Sequence, residues 1–114
     1  LRLIEQRGYG DIELVVVLPF EGHDAKWDER SKRRMDFLLR MCSDCVVIGK
    51  EDCRESYIKR NCYMVDHADY LVAVYDNEMN LRSGTIQCVR YAELHRKTII
   101  FISPDTGKTM HGCF

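Results

Sequence analysis

Apolar residues along the chain gather in four short runs, Ile12–Leu18, Cys45–Ile48, Tyr70–Tyr75 and Thr98–Ile102. They are rich in Val, Ile and aromatic residues and are not regularly interleaved with polar ones. Strands covered on both faces read this way, as in a parallel sheet flanked by helices. Between the runs the period becomes helical. Met35, Leu38, Leu39 and Cys42 predict a helix over Ser31–Cys42, capped by Asp28 or Ser31. Ile58, Cys62 and Val65 share a face of a helix from about Ser56 to His67, and Thr85, Cys88, Val89 and Ala92 share a face of another from Gly84 to His95.

Leu1–Arg7 reads as the end of a further helix, stopped by Gly8. A chain that opens in mid-helix is expected to be the N-terminally truncated remainder of a longer one. The order is helix end, then strand and helix in alternation, closing on a strand. It predicts an α/β three-layer fold with a mostly parallel sheet and right-handed crossovers, in a single domain over residues 1–114. Pro104–Phe114 has no periodicity and is expected to form a loose tail.

Composition narrows the function classes. With 17 basic and 18 acidic residues the formal charge is −1, which gives no bulk electrostatic case for nucleic acid or anionic lipid. Arg30-Ser31-Lys32-Arg33-Arg34 is a local basic run, but Asp24, Asp28, Glu29 and Asp36 surround it, the pattern of a solvated helix face. The longest apolar run, Leu14–Phe20, is far short of the roughly 20 residues a spanning helix needs, so no membrane partner is expected.

Six cysteines (Cys42, Cys45, Cys53, Cys62, Cys88, Cys113) accompany long apolar strands rather than a core-poor scaffold. They are read as buried structural thiols of a cytoplasmic protein without a signal peptide. Cys42 and Cys45 have metal-ligand spacing, but a second close pair is missing, so no metal is expected.

In parallel α/β sheets, ligands sit where strands lead into helices. The most informative such place is the loop after Tyr75-Asp76, ending in Arg82-Ser83-Gly84-Thr85 at a helix start. Unpaired amides of a first helical turn, a glycine permitting close approach, two hydroxyls and a guanidinium together suit a phosphate. The same Ser-Gly-Thr is also an ordinary helix cap. Arg60 and Asn61 adjoin the apolar positions Ile58 and Cys62. They either reach inward near the sheet top or are solvated. Asp76 either accepts from a ribose hydroxyl or starts a turn. Trp27 either stacks on a ligand or covers the core. His67 reads as a helix C-terminal residue.

Arg60-Asn61-Cys62-Tyr63-Met64-Val65-Asp66-His67-Ala68-Asp69, the strand to Asp76, Ser83-Gly84-Thr85 and Tyr91-Ala92 resemble the SLOG superfamily, in its bacterial YpsA-like group, labelled a domain of unknown function. The resemblance extends from Leu1 to Asp105. It implies a Rossmann-like fold whose N-terminal strand and Gly-rich loop would precede Leu1. It also implies binding of a nucleotide or nucleotide-derived ligand, as a sensor or adaptor module with no other cofactor. Arg60 carries over as a ligand contact, and Gly84 and Thr85 as the phosphate cradle.

The more distant Lonely-guy group implies the alternative, hydrolysis of the N-glycosidic bond of nucleoside monophosphates. Its acid after Gly-Thr is replaced here by Gln87, followed by Cys88. An amide cannot stabilise a developing cation as a carboxylate does, so enzymatic activity is disfavoured and no catalytic residue is assigned. The DNA-handling DprA branch is disfavoured by the net charge. Edge strands and exposed helices are compatible with a homodimer.

Overall fold

A computed structural model of the chain describes residues 2–74 and 83–113, with backbone alone at Ser83 and at residues 110–113. The elements are α1 (Arg2–Arg7), β1 (Val15–Leu18), α2 (Glu29–Met41), β2 (Asp44–Val47), α3 (Arg54–Asp66), β3 (Tyr70–Val74), α4 (Ser83–Leu94), β4 (Thr98–Ile102) and β5 (Thr109–Cys113). They fall into two compact units, Leu1–Asp52 and Cys53–Phe114.

In the first unit α1 ends at Gly8, whose φ of 68° is left-handed, and the Tyr9 N–H returns to the Ile4 carbonyl at 3.1 Å. β1 pairs with β2 in parallel, Val15 opposite Asp44 through Leu18 opposite Val47. The hydrogen bonds continue past both strands, from Ile48 N–H to the Leu18 carbonyl and from Gly49 N–H to the Pro19 carbonyl.

α2 begins at Glu29, two residues before the expected Ser31, and of the two candidate caps Asp28 is the one used. Asp28 sits in extended backbone and its carboxylate accepts from the Ser31 N–H at 3.2 Å. Hydrogen bonds from the Ser31 side chain and then its backbone hold that carboxyl below its ordinary pKa. Leu18, Pro19 and Phe20 are buried. The basic residues Arg30, Arg33 and Arg34 are exposed, as a solvated face requires.

In the second unit β3 and β4 pair in parallel, from Tyr70 opposite Thr98 to Val74 opposite Ile102. α3 and α4 pack on one another, and α4 packs on both strands. Val65, Ala73, Val89, Ala92 and Ile99 form the core, with Leu71, Tyr91 and Phe101 against it. The α/β layering with mainly parallel pairing is the expected fold class, its strands divided between a β1–β2 sheet and a β3–β4–β5 sheet.

Two local expectations need correction. The Pro104–Phe114 segment carries β5, antiparallel to β4 with Thr98 opposite Cys113 and Ile102 opposite Thr109. Nor is the β3 run buried on both faces. Ala73 is buried, whereas Tyr70, Val72 and Val74 are 64%, 58% and 57% exposed. The residue period of two puts these three on the face opposite Leu71 and Ala73.

Candidate functional site

The residues that bear chemistry meet along the α3–α4 contact of the second unit. Asn61 occupies the same helical stripe as Ile58, Cys62 and Val65, so the packing that buries Val65 also buries Asn61, which is 8% exposed. A buried amide must be hydrogen-bonded, and Asn61 uses both ends. The Arg60 Nε–H donates to its Oδ1 at 2.8 Å, and its Nδ2 donates to Gln87 Oε1 at 3.1 Å. Gln87 Nε2 in turn donates to Cys62 Sγ at 3.6 Å. The direction of the relay is fixed by its first member. A guanidinium has donors only, so Asn61 must turn its oxygen to Arg60 and its nitrogen to Gln87.

Arg60 is half-buried, and its Cζ lies 5.8 Å from the centre of the Tyr57 ring, within cation–π range. Its guanidinium also acts on the Cys88 thiol. Burial pushes that thiol above its ordinary pKa, and Arg60 opposes the rise. A second tie between the helices runs from the Tyr91 hydroxyl to Asp66 Oδ1 at 2.8 Å. That bond is the main reason the Tyr91 phenol is pushed up to about 12.

Gly84 is exposed and Thr85 half-buried in the first turn of α4. A Cβ built on Gly84 would meet nothing within 4 Å among the described residues and its φ is not left-handed, so neither crowding by those residues nor backbone conformation requires glycine there. Beside the two helices lies a cleft of about 480 Å³ lined by Arg54, Ile86, Gln87, Arg90, Tyr91 and Leu94. Its size falls within the range of small-molecule sites, roughly 300–1,000 Å³.

Of the residues singled out from the sequence, Arg60 and Asn61 are thus in direct contact, Gly84 and Thr85 lie in the α4 first turn, and Ser83 opens that helix. Asp76 and Arg82 lie outside the described residues. Trp27 belongs to the first unit, where it is exposed and meets His23 edge-on at 5.0 Å. His67 caps α3, as its position predicted; its Nδ1–H donates to the Tyr63 carbonyl at 2.8 Å and its ring stacks on Tyr63.

Cys45 is exposed rather than buried, and Cys42, Cys53, Cys62 and Cys88 are half-buried free thiols. Among the described residues no three His, Cys, Asp or Glu side chains converge as a metal site, and no helix is long and apolar enough to cross a membrane. Sequence reasoning missed Arg54 and Arg90 as cleft residues and Gln87 as a partner of Asn61. The available signal for the last was a polar residue, Asn61, standing on an apolar helical stripe.

The chain is 26% identical over 102 residues to the SPbeta prophage-derived protein YoqJ of Bacillus subtilis, a match covering 79% of this chain and 58% of that one. It is 24% identical over 75 residues to a UPF0398 protein of Staphylococcus epidermidis, covering 64% of this chain and 40% of the relative. A UPF0398 protein of Bacillus cereus matches at 29% over 72 residues, 61% of this chain and 39% of the relative. The chain therefore spans between about two-fifths and three-fifths of these relatives. The sequence profile of the YspA SLOG family matches residues 2–106, and the chain belongs to that family.

Proposed function

We propose that the chain binds a nucleotide or nucleotide-derived ligand, its phosphate held by the first-turn amides of α4 and the Arg60 guanidinium, as a sensing or adaptor module. The observation that carries this reading is the held state of Arg60. One of its five N–H groups is committed to Asn61, whose other end is tied to Gln87 on α4. A guanidinium fixed beforehand loses less freedom when an anion arrives. Gly84, which neither crowding nor φ accounts for, leaves the α4 amides open to close approach. The cleft beside Gln87, flanked by Arg54 and Arg90, offers room and positive charge for the remainder of the ligand.

Glycosidic hydrolysis is the weaker reading. Gln87 carries no negative charge, and both ends of its amide are engaged with Asn61 and Cys62. Calorimetric titration of the chain with AMP and with adenosine separates the phosphate from the rest of the ligand. AMP is expected to bind, with adenosine weaker by roughly tenfold or more and the difference removed in Arg60→Ala. Equal binding of the two compounds would refute the phosphate assignment. Free adenine released from AMP and lost in Arg60→Ala would favour the hydrolase.

A further inference from the structure

We propose that Gln87 is a positioning residue that aims the Arg60 guanidinium through the Asn61 amide, and that its neutrality makes the site select doubly charged phosphate over singly charged phosphate. The inference rests on the nucleotide-binding reading above and adds the charge class of the ligand and the residue that sets it.

The geometry supplies the first half. Arg60 donates to Asn61 at 2.8 Å, and Asn61 donates to Gln87 at 3.1 Å across 26 positions of sequence. Asn61 is buried, so its amide plane is set by these two bonds and not by water. Turning Gln87 away would leave the Asn61 Nδ2 unpaired, and the amide would rotate to recover a partner, releasing Arg60. Gln87 is itself held by its bond to Cys62. The relay therefore ties the α3 guanidinium to α4, the helix whose first turn would meet the same phosphate.

The second half follows from charge. The partners of Arg60 among the described residues are the Asn61 oxygen and the Tyr57 ring, both neutral, and the neighbouring Cys88 thiol stays protonated because burial raises its pKa. Among the described residues, therefore, no carboxylate is bonded to the guanidinium to compensate its charge. A carboxylate in place of the Gln87 amide would still accept from Asn61. It would also put a negative charge one amide away from Arg60 and partly cancel the attraction for an incoming anion. A terminal phosphate, with its second ionisation near pH 6, carries close to two charges at neutral pH, and a cyclic diester carries one.

The test uses the full chain, Gln87→Glu and Gln87→Leu, with AMP and cyclic AMP as probes in calorimetric titrations at neutral pH. Alongside, the exchange rate of the Arg60 Nε–H is read from the proton–nitrogen spectrum of each ligand-free protein. The parent is expected to prefer AMP by roughly tenfold and to show a slowly exchanging Nε–H. Gln87→Glu, which keeps the acceptor, should retain the slow Nε–H but lose most of the preference. Gln87→Leu should lose the slow Nε–H and bind AMP roughly tenfold more weakly.

An Nε–H unchanged in Gln87→Leu would overturn the positioning role. A full AMP preference in Gln87→Glu would overturn the charge role. A parent that binds neither probe would overturn the ligand reading and the charge selectivity together, while the exchange measurement still decides the relay.

Discussion

Asn61 joins stability and site, because its amide is both a buried structural group and the support of Arg60. Asn61→Ala leaves the Gln87 oxygen and the Arg60 Nε–H without their partner and should cost about 1–3 kcal/mol of unfolding free energy, read from urea denaturation. Tyr91 offers a second check on the α3–α4 contact. Its phenol is held up to about 12 by the bond to Asp66. A folded pKa raised above the unfolded value of about 10 stabilises the fold fully below pH ~10, and the contribution disappears as pH rises through about 12. Phenolate absorbance should therefore show one late-titrating tyrosine, brought back toward 10 by Asp66→Asn, with no change near neutral pH.

At the scale of elements, α4 carries the sharpest separation of stability from binding. Gly84 stands in its exposed first turn, where a built Cβ meets none of the described residues within 4 Å. Gly84→Ala should therefore leave the fold intact and raise stability by up to about 1 kcal/mol, through the lower helix propensity of glycine. Gly84→Val should fold as well but obstruct a phosphate approaching the first-turn amides. Thermal unfolding and AMP titration, run on both variants, read the two effects apart.

What the sequence revealed, and what it hid, follows the range of the forces involved. β4 was legible to the residue, because Thr98–Ile102 is an uninterrupted β-rich run between Lys97 and Ser103. The start of α2 was legible to within two residues, because the bond that Asp28 accepts from the Ser31 N–H is local. β5 was not, since Thr109–Cys113 includes His111 and Gly112, has low intrinsic strand preference, and is defined by its pairing with β4. The relay was legible in part. Asn61 could be seen on an apolar stripe, but its partner lies 26 residues away on another helix, where no periodicity points.

For the whole molecule, the decisive structural feature is that the relay, the cleft and the α4 first turn all belong to the second unit, whose core is Val65, Ala73, Val89, Ala92 and Ile99. Ile99 is 0% exposed, and Ile99→Ala should cost about 2–5 kcal/mol, seen as lost hydrogen-exchange protection across β3, β4 and β5. The formal charge of −1 gives no general attraction for anions, so any phosphate affinity must come from local groups such as Arg60, Arg54 and Arg90. The most direct measurement is amide chemical-shift mapping of the chain during titration with AMP. The account predicts saturable shifts concentrated at the amides of Ser83, Gly84 and Thr85 and at the Arg60 Nε–H, abolished in Arg60→Ala. Saturable shifts that leave all four of those groups unmoved would contradict it.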